Sequence, residues 1–136
     1  MKKLLSTNYS DTAFNIAIFL MRATMGFFLC INHGIPKLAN FASWQHTFYD
    51  PIHIGSRWSL VLSIFAEVFA SMFLVLGLFS RLAAFVLVIN MFVASFIYHQ
   101  GHPLIEYEDA SLFLVGFFVL LLVGPGRLSV DAMTGK

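Results

Sequence analysis

Apolar stretches of nearly membrane-spanning length recur along the chain, separated by short polar breaks. They cover about residues 13–35, 58–79, 82–98 and 106–124. A transmembrane helix needs about 20 mostly apolar residues, and glycine and proline mark the breaks. The pattern predicts four membrane spans in one domain over residues 1–136. Three spans with a re-entrant fourth segment is the alternative, because the fourth apolar run is short.

The connection between the first two spans carries its own periodicity. Leu38, Phe41, Trp44 and Phe48 recur at helical spacing, and Trp44 and Trp58 suit the headgroup region. We expect a short amphipathic helix on the membrane surface, with a plain loop as the alternative. The predicted fold is therefore all-α: an integral membrane four-helix bundle with a short interfacial amphipathic helix between helices 1 and 2.

Composition supports a lipid environment. The 136 residues are 59% hydrophobic and 11% charged, with a mean hydropathy of +0.82, whereas soluble domains are about 25% charged. A soluble chain this short has too little interior for so much apolar surface. The net charge is +1 and no basic run is present, so nucleic acid is not a predicted partner. Cys30 is the only cysteine, which excludes an internal disulfide and a CxxC pair.

The charged flanks predict an orientation. The first apolar stretch is expected to be retained rather than cleaved, because Arg22 interrupts it and no small-residue cleavage site stands out. One side of the predicted membrane has only Lys37 and Arg57 as basic residues. The other side has Lys2, Lys3, Arg81, Arg127 and Lys136. Because cytoplasmic loops are enriched in Lys and Arg, both termini should face the cytoplasm.

A polar stripe follows one face of the first predicted helix. Its members are Asn15, Arg22, Gly26, Cys30, His33 and Lys37. The first two helices run in opposite directions, so Arg22 and Glu67 are expected at similar depth as an ion pair near the membrane midplane. Asn90 faces inward on the third helix. The pair either borders a substrate or proton path or only fixes helix register; the sequence leaves both open.

Titratable side chains also gather at the predicted outer surface. They are His33, Lys37, His99, His102, Glu106, Glu108 and Asp109, with His46 and His53 nearby. Histidine and carboxylate can bind metal, but no spacing matches a metal motif, so none is predicted. A pocket for a quinone head and a solvated helix end both remain open. No GxGxxG, P-loop, HExxH or GxSxG motif is present.

Several segments together resemble the DoxX family of small bacterial membrane proteins. Arg22 and Glu67 match charged positions in its first two spans, and His99 and Glu108 match positions at the ends of the next two. Three segments carry the rest of the resemblance. The segment from Asn32 to Leu38 is similar to the family's Gly-x-x-Lys-Leu, and the segment from Leu76 to Ala84 is similar to its Gly-Leu-x-Thr-Arg-x-Ala, with Ser80 for Thr. The segment from Gly124 to Asp131 is similar to its Gly-Pro-Gly-x-x-Ser-x-Asp.

The resemblance implies a four-helix bundle in the bacterial inner membrane and a link to oxidation chemistry, without assigning catalytic residues. A structural role is expected for Gly77, Arg81, Gly124, Pro125, Gly126, Ser129 and Asp131. In that group Ser129 should cap a short helical turn, and Asp131 should pair with Arg81 or Arg127.

Two function hypotheses follow. The first is a membrane subunit of a quinone- or thiol-linked redox system, working with redox partner proteins and binding a small hydrophobic substrate between the helices. The alternative is a non-enzymatic carrier or scaffold in which the Arg22–Glu67 pair is structural or relays protons. Faces of small residues also permit a homo-oligomer.

Overall fold

The computed structural model describes residues 6–135, so Lys2, Lys3 and Lys136 of the charge argument lie outside the described residues. Helices make up all the regular structure of that range, which confirms the all-α prediction. The four long helices are α1 (Asp11–Ala39), α3 (Ser56–Leu76), α4 (Ser80–Tyr98) and α5 (Leu104–Val123). The one-turn helices are α2 (Phe41–Trp44) and α6 (Val130–Met133).

Three of the long helices, α1, α3 and α4, are long and apolar enough to cross a bilayer. Large apolar side chains such as Leu82 and Phe85 lie exposed on the bundle surface, as lipid contact requires. The chain is therefore an all-α membrane protein. Helix α5 has 20 residues, but it carries Glu106, Glu108 and Asp109 near its start. Its crossing of the membrane stays a prediction.

The long helices pack in a ring in which α1 contacts α3 and α5, and α4 contacts the same two helices. Two glycines let α1 approach α3 closely. A Cβ on Gly34 would lie 2.7 Å from the carbonyl oxygen of Glu67, and one on Gly26 would lie 2.9 Å from that of Ser71. Small residues at membrane helix contacts permit this backbone approach. The glycines therefore fix the register, with Gly34 beside Glu67.

Two apolar clusters fill the bundle. The larger includes the fully buried Leu74, Leu87 and Phe117 between the four long helices. The smaller consists of Cys30, Leu60, Ile64 and Val68, with Phe41 and Phe48 of the α1–α3 connection packed against it. The connection thus folds back onto the bundle. The short helix predicted within it is present as the single turn α2, with Leu38 in α1 and Phe48 outside any helix, and its position at the membrane surface stays a prediction.

Helix α1 continues to Ala39, past the predicted end of the first span at about residue 35. The turn Cys30–Gly34 is π-helical. The backbone N–H of Ile35 there donates to the carbonyl of Cys30, five residues back. Because the nitrogen of Pro36 has no hydrogen to donate, a widened turn accommodates it without ending the helix.

The first and last described segments of the chain meet at one end of the bundle, which we call the terminal end. There the backbone N–H of Arg127 donates to Asn15 Oδ1 at 2.6 Å. Gly77 ends α3 with φ 73°, a left-handed conformation that glycine adopts readily. Ser129 caps α6 by accepting a hydrogen bond from the N–H of Ala132, as predicted.

Arg22 and Asp131 join the helices at the terminal end. The Arg22 guanidinium donates to the carbonyl oxygens of Leu74, Val75 and Leu128 at 2.7, 2.9 and 2.6 Å. The Asp131 carboxylate accepts from the backbone N–H groups of Phe79 and Ser80, both at 2.8 Å. The cation meets the C-terminal carbonyls of α3 and the anion meets the N-terminus of α4, which suits both helix dipoles. We call this arrangement the terminal clasp (Arg22, Asp131 and the backbone groups that they bind).

Candidate functional site

A cavity of about 1090 Å³ occupies the opposite half of the bundle, which we call the cavity end. Side chains of α1, α3, α4, α5 and the α1–α3 connection line it. Most of the wall is apolar, and a few polar groups converge inside. Those discussed below are His33, Lys37, Ser63, Glu67, Asn90 and His99. An apolar cavity with a small number of placed polar groups is typical of a small-molecule site.

Glu67 is the centre of the polar groups. Its side chain is only 3% exposed, and Lys37 Nζ contacts both of its carboxylate oxygens. Asn90 Nδ2 donates to Glu67 Oε1 at 3.0 Å, and Ser63 Oγ does so at 3.4 Å. Three helices thus supply donors to one buried carboxylate. We call Lys37, Ser63, Glu67 and Asn90 the charged cluster.

The prediction of an ion pair between Arg22 and Glu67 is wrong. In the structure Arg22 belongs to the terminal clasp, and Lys37 takes the place opposite Glu67. The physical reason is the register, because Gly34 of α1 lies beside Glu67 while Arg22 lies beside the last turn of α3. The twelve residues from Arg22 to Gly34 correspond to about 18 Å along a helix. Arg22 therefore lies at the end of α3 and not at the level of Glu67.

Two histidines, His33 and His99, also line the cavity. His99 Nδ1 lies 2.6 Å from the carbonyl oxygen of Ala94, which can only accept. Nδ1 therefore carries the proton, and in the neutral ring the lone pair is on Nε2. The ring of His33 packs edge-on against Phe113 of α5, with centroids 6.1 Å apart. The His33–Phe113 contact spans the gap between α1 and α5 at the cavity.

Aromatic side chains of the α1–α3 connection cover the cavity. The Tyr49 ring contacts the Tyr98 ring edge-on at 5.2 Å between centroids. Lys37 Nζ lies 5.9 Å from the centre of the Phe48 ring, within the range of a cation–π contact.

Asp50 holds this connection in shape. A hydrogen bond from Ser59 Oγ, supported by the backbone N–H groups of Gly55 and Ile54, lowers the pKa of Asp50. The carboxylate form is the acceptor, so the hydrogen bonds favour it.

The outer cluster expected from the sequence divides in the structure. His33, Lys37 and His99 line the cavity, as do the carboxylates Glu106 and Asp109. Those outside the lining are Glu108, His46, His53 and His102. His102 pairs with Glu106 at 2.6 Å, where both side chains are about half exposed. Within residues 6–135, no group of three or more His, Cys, Asp or Glu side chains is arranged to hold a metal ion.

Three π-helical turns surround the cavity. They are Cys30–Gly34, Phe65–Ala70 and Val93–Tyr98, and each contributes cavity-lining residues such as His33, Glu67 and Ala94. A π-helical turn is rare and often marks a functional site. Its extra residue rotates the following side chains by about 100°, so reading faces at an α-helical period misses which residues meet here. No simple sequence signal predicts these turns.

The family model described as DoxX matches residues 17–100, more than half of the chain. This range includes Arg22, Lys37, Glu67 and Asn90. The curated proteins and the solved structures compared with the chain contain no match. The order of the motifs, the helical membrane fold and the match to the family model agree, and the chain belongs to the DoxX family.

Proposed function

We propose that the cavity binds the head of a quinone, or of a comparable small amphipathic ring compound, and that the protein is the membrane subunit of a redox system. The observation that carries this proposal is a buried charged cluster at the base of a large apolar cavity. A volume of about 1090 Å³ is slightly above the range of about 300–1,000 Å³ typical of ligand sites.

The residues fit a ring with carbonyl oxygens. An ammonium group has three N–H donors, and two contacts of Lys37 go to Glu67. One donor therefore remains for an acceptor in the cavity. The Nε2 atom of His99 can accept a proton from a hydroxyl or, when protonated, donate one. The rings of Phe48, Tyr49 and Tyr98 can pack against a flat head.

A bound quinone supplies two-electron, two-proton chemistry. Cys30, the only cysteine, is buried against Leu60, Ile64 and Val68. Thiol exchange at that position is therefore blocked, and the electrons must come from a partner redox protein or a sulfur compound outside the bundle. The role of this chain would be to bind the head, orient it and hold protons at the charged cluster and His99.

The orientation forms part of this proposal. Arg81 and Arg127 lie near the terminal end, where Arg81 borders Gly124. Lys37, one of the two basic residues expected outside, is paired with Glu67. Basic residues mark the cytoplasmic side, so we place the terminal end in the cytoplasm of a bacterial inner membrane and the cavity end outside.

The two tryptophans allow a direct binding test. Trp44 lines the cavity, whereas Trp58 is 62% exposed and lies outside the lining. Purified Trp58→Phe protein in nanodiscs is titrated with a decyl-benzoquinone, and Trp44 fluorescence should be quenched with saturation. The Trp44→Phe protein is the matched control and should show only weak, linear quenching of Trp58. Linear quenching in both proteins would overturn the proposal.

A carrier that moves protons with a small solute is the second candidate. The observation that favours it is that the same cavity reaches from buried Glu67 to the exposed carboxylates Glu106 and Asp109. Such a path is typical of a proton relay. Proteoliposomes with an internal pH dye distinguish the candidates, since a carrier shows uptake that Glu67→Gln abolishes, whereas a quinone-binding subunit shows none.

A further inference from the structure

The cavity has an open side that faces lipid, between α3 and α4. The parts of these helices nearer the terminal end pack together, with Phe65–Ala70 of α3 against Ser80–Phe92 of α4. Within the described residues, no contact of comparable extent joins the parts nearer the cavity end, Ser56–Ile64 and Val93–Tyr98. The two helices therefore diverge toward the cavity end.

Apolar side chains border this gap on both helices. Leu62 and Phe65 of α3 and Ile89 of α4 line the cavity, yet they are 53%, 49% and 50% exposed. A residue can line the cavity and be half exposed only where the wall opens. At this depth the surroundings are hydrocarbon, because α3 and α4 are apolar helices of spanning length. We call Leu62, Phe65 and Ile89 the lateral opening.

Ring contacts or polar groups mark the other sides of the cavity. The His33–Phe113 contact spans the gap between α1 and α5. The Tyr49–Tyr98 contact crosses the top, where Tyr98 is 53% exposed. The remaining rim carries Glu106, which would hold water instead of a hydrocarbon tail. The gap between α3 and α4 is thus the opening whose rim, Leu62, Phe65 and Ile89, is aliphatic or aromatic without a polar atom and leads from the charged cluster to the apolar surface of two spanning helices.

We infer that the ligand is a lipid-dissolved amphiphile with a polar ring and a hydrocarbon tail, and that it enters through the lateral opening. Its head reaches Lys37 and Asn90, while its tail stays between α3 and α4 in the bilayer. This inference rests on the proposed head-binding function and adds the tail, the route and the chemical class. It also explains why the opening lacks charge, since a charged rim would hold water in the path of the tail.

A photoreactive probe tests the position of the tail. The probe is a benzoquinone with a decyl tail that ends in a diazirine, added to the protein in nanodiscs and irradiated. Mass spectrometry should find labels at Leu62, Phe65 or Ile89, and excess unlabelled decyl-benzoquinone should remove them. Displaceable labels at Thr47 or Ala110 would overturn lateral entry and leave head binding intact. If unlabelled ligand displaces no label, the proposed function and this inference both fail.

A substitution that narrows the opening gives an independent readout. Ile89→Trp places a larger side chain in the gap, and Leu122→Trp is the matched control, 63% exposed at the wild-type residue and outside the cavity lining. We expect displaceable labelling to fall about tenfold in Ile89→Trp, equivalent to about 1.4 kcal/mol of binding, and to stay unchanged in Leu122→Trp. Binding of a tail-less benzoquinone, measured by calorimetry, should persist in Ile89→Trp. Unchanged labelling in Ile89→Trp would contradict the lateral route.

Discussion

Glu67 is a carboxylate almost without solvent contact, and donors from three helices surround it. Lys37, Ser63 and Asn90 all reach its oxygens. Removing one partner of a buried ion pair costs about 3–5 kcal/mol, whereas replacing both with apolar groups is often neutral. This asymmetry separates a pair that only holds the helices from one that also binds a ligand.

Glu67→Gln should therefore lower the free energy of unfolding by about 3 kcal/mol, since the Lys37 ammonium loses its carboxylate while only 19% exposed. The double variant Glu67→Gln/Lys37→Met should recover most of that loss. Denaturant titration in mixed micelles measures both, with the exposed Glu108→Gln as control. A Glu67→Gln protein as stable as wild type would show that Lys37 is not confined beside Glu67.

Asp50 permits a test at a residue outside the spans. Its pKa in the folded chain is lowered, chiefly by Ser59, below the value of about 3.9 of a free aspartate. Its contribution to stability is then complete above that unfolded pKa and is lost as the pH falls through the lowered folded pKa. Carboxyl NMR titration should show the low midpoint in wild type, a higher one in Ser59→Ala, and no change in the control Thr47→Ala. Equal midpoints in Ser59→Ala and wild type would contradict the assigned cause.

At the scale of helices and segments, the terminal clasp fastens the segment 124–134 to the bundle. Asp131→Asn keeps the size of the side chain but removes the charge that the N–H groups of Phe79 and Ser80 face. Hydrogen bonds to charged groups contribute about 1.5–3 kcal/mol, so we expect a loss of about 2 kcal/mol. Amide exchange at Ser80 should accelerate correspondingly.

Arg127→Gln is the matched control at the same end. It breaks a 3.5 Å pair with Asp11 in which both side chains are 78% exposed, and exposed pairs contribute little. If Arg127→Gln and Asp131→Asn change exchange at Ser80 equally, the clasp does not act as described.

The sequence predicted the helices better than their contacts. Runs of apolar residues separated by glycine and proline predicted where the four long helices lie. Ser129 was predicted to cap a short helical turn, and it caps α6. The partner of Glu67 depended on the register of α1 against α3, which Gly34 sets through backbone contact. The π-helical turns then rotate side chains away from the α-helical period. Tertiary packing decides both features, so Lys37 could not be preferred over Arg22 from spacing alone.

At the scale of the whole molecule, four crossings place the α4–α5 connection and the C-terminal segment on opposite sides of the membrane. Cysteine is introduced as Gln100→Cys, at the exposed α4–α5 connection, or as Thr134→Cys at the terminal end, with Cys30→Ser in both. An impermeant maleimide should label Gln100→Cys in intact spheroplasts and Thr134→Cys only after permeabilisation. The same accessibility for both would contradict four crossings, and the reverse pattern would invert the orientation.

The charged cluster is either a ligand site or only a register device, and the affinity for a quinone distinguishes the two most directly. Decyl-benzoquinone is titrated in nanodiscs against Trp58→Phe protein that also carries Glu67→Gln/Lys37→Met, using Trp44 fluorescence. The double variant should stay folded and bind at least about tenfold more weakly than its parent, while Glu108→Gln in the same background binds like the parent. Equal affinity in all three proteins would show that the cluster takes no part in binding.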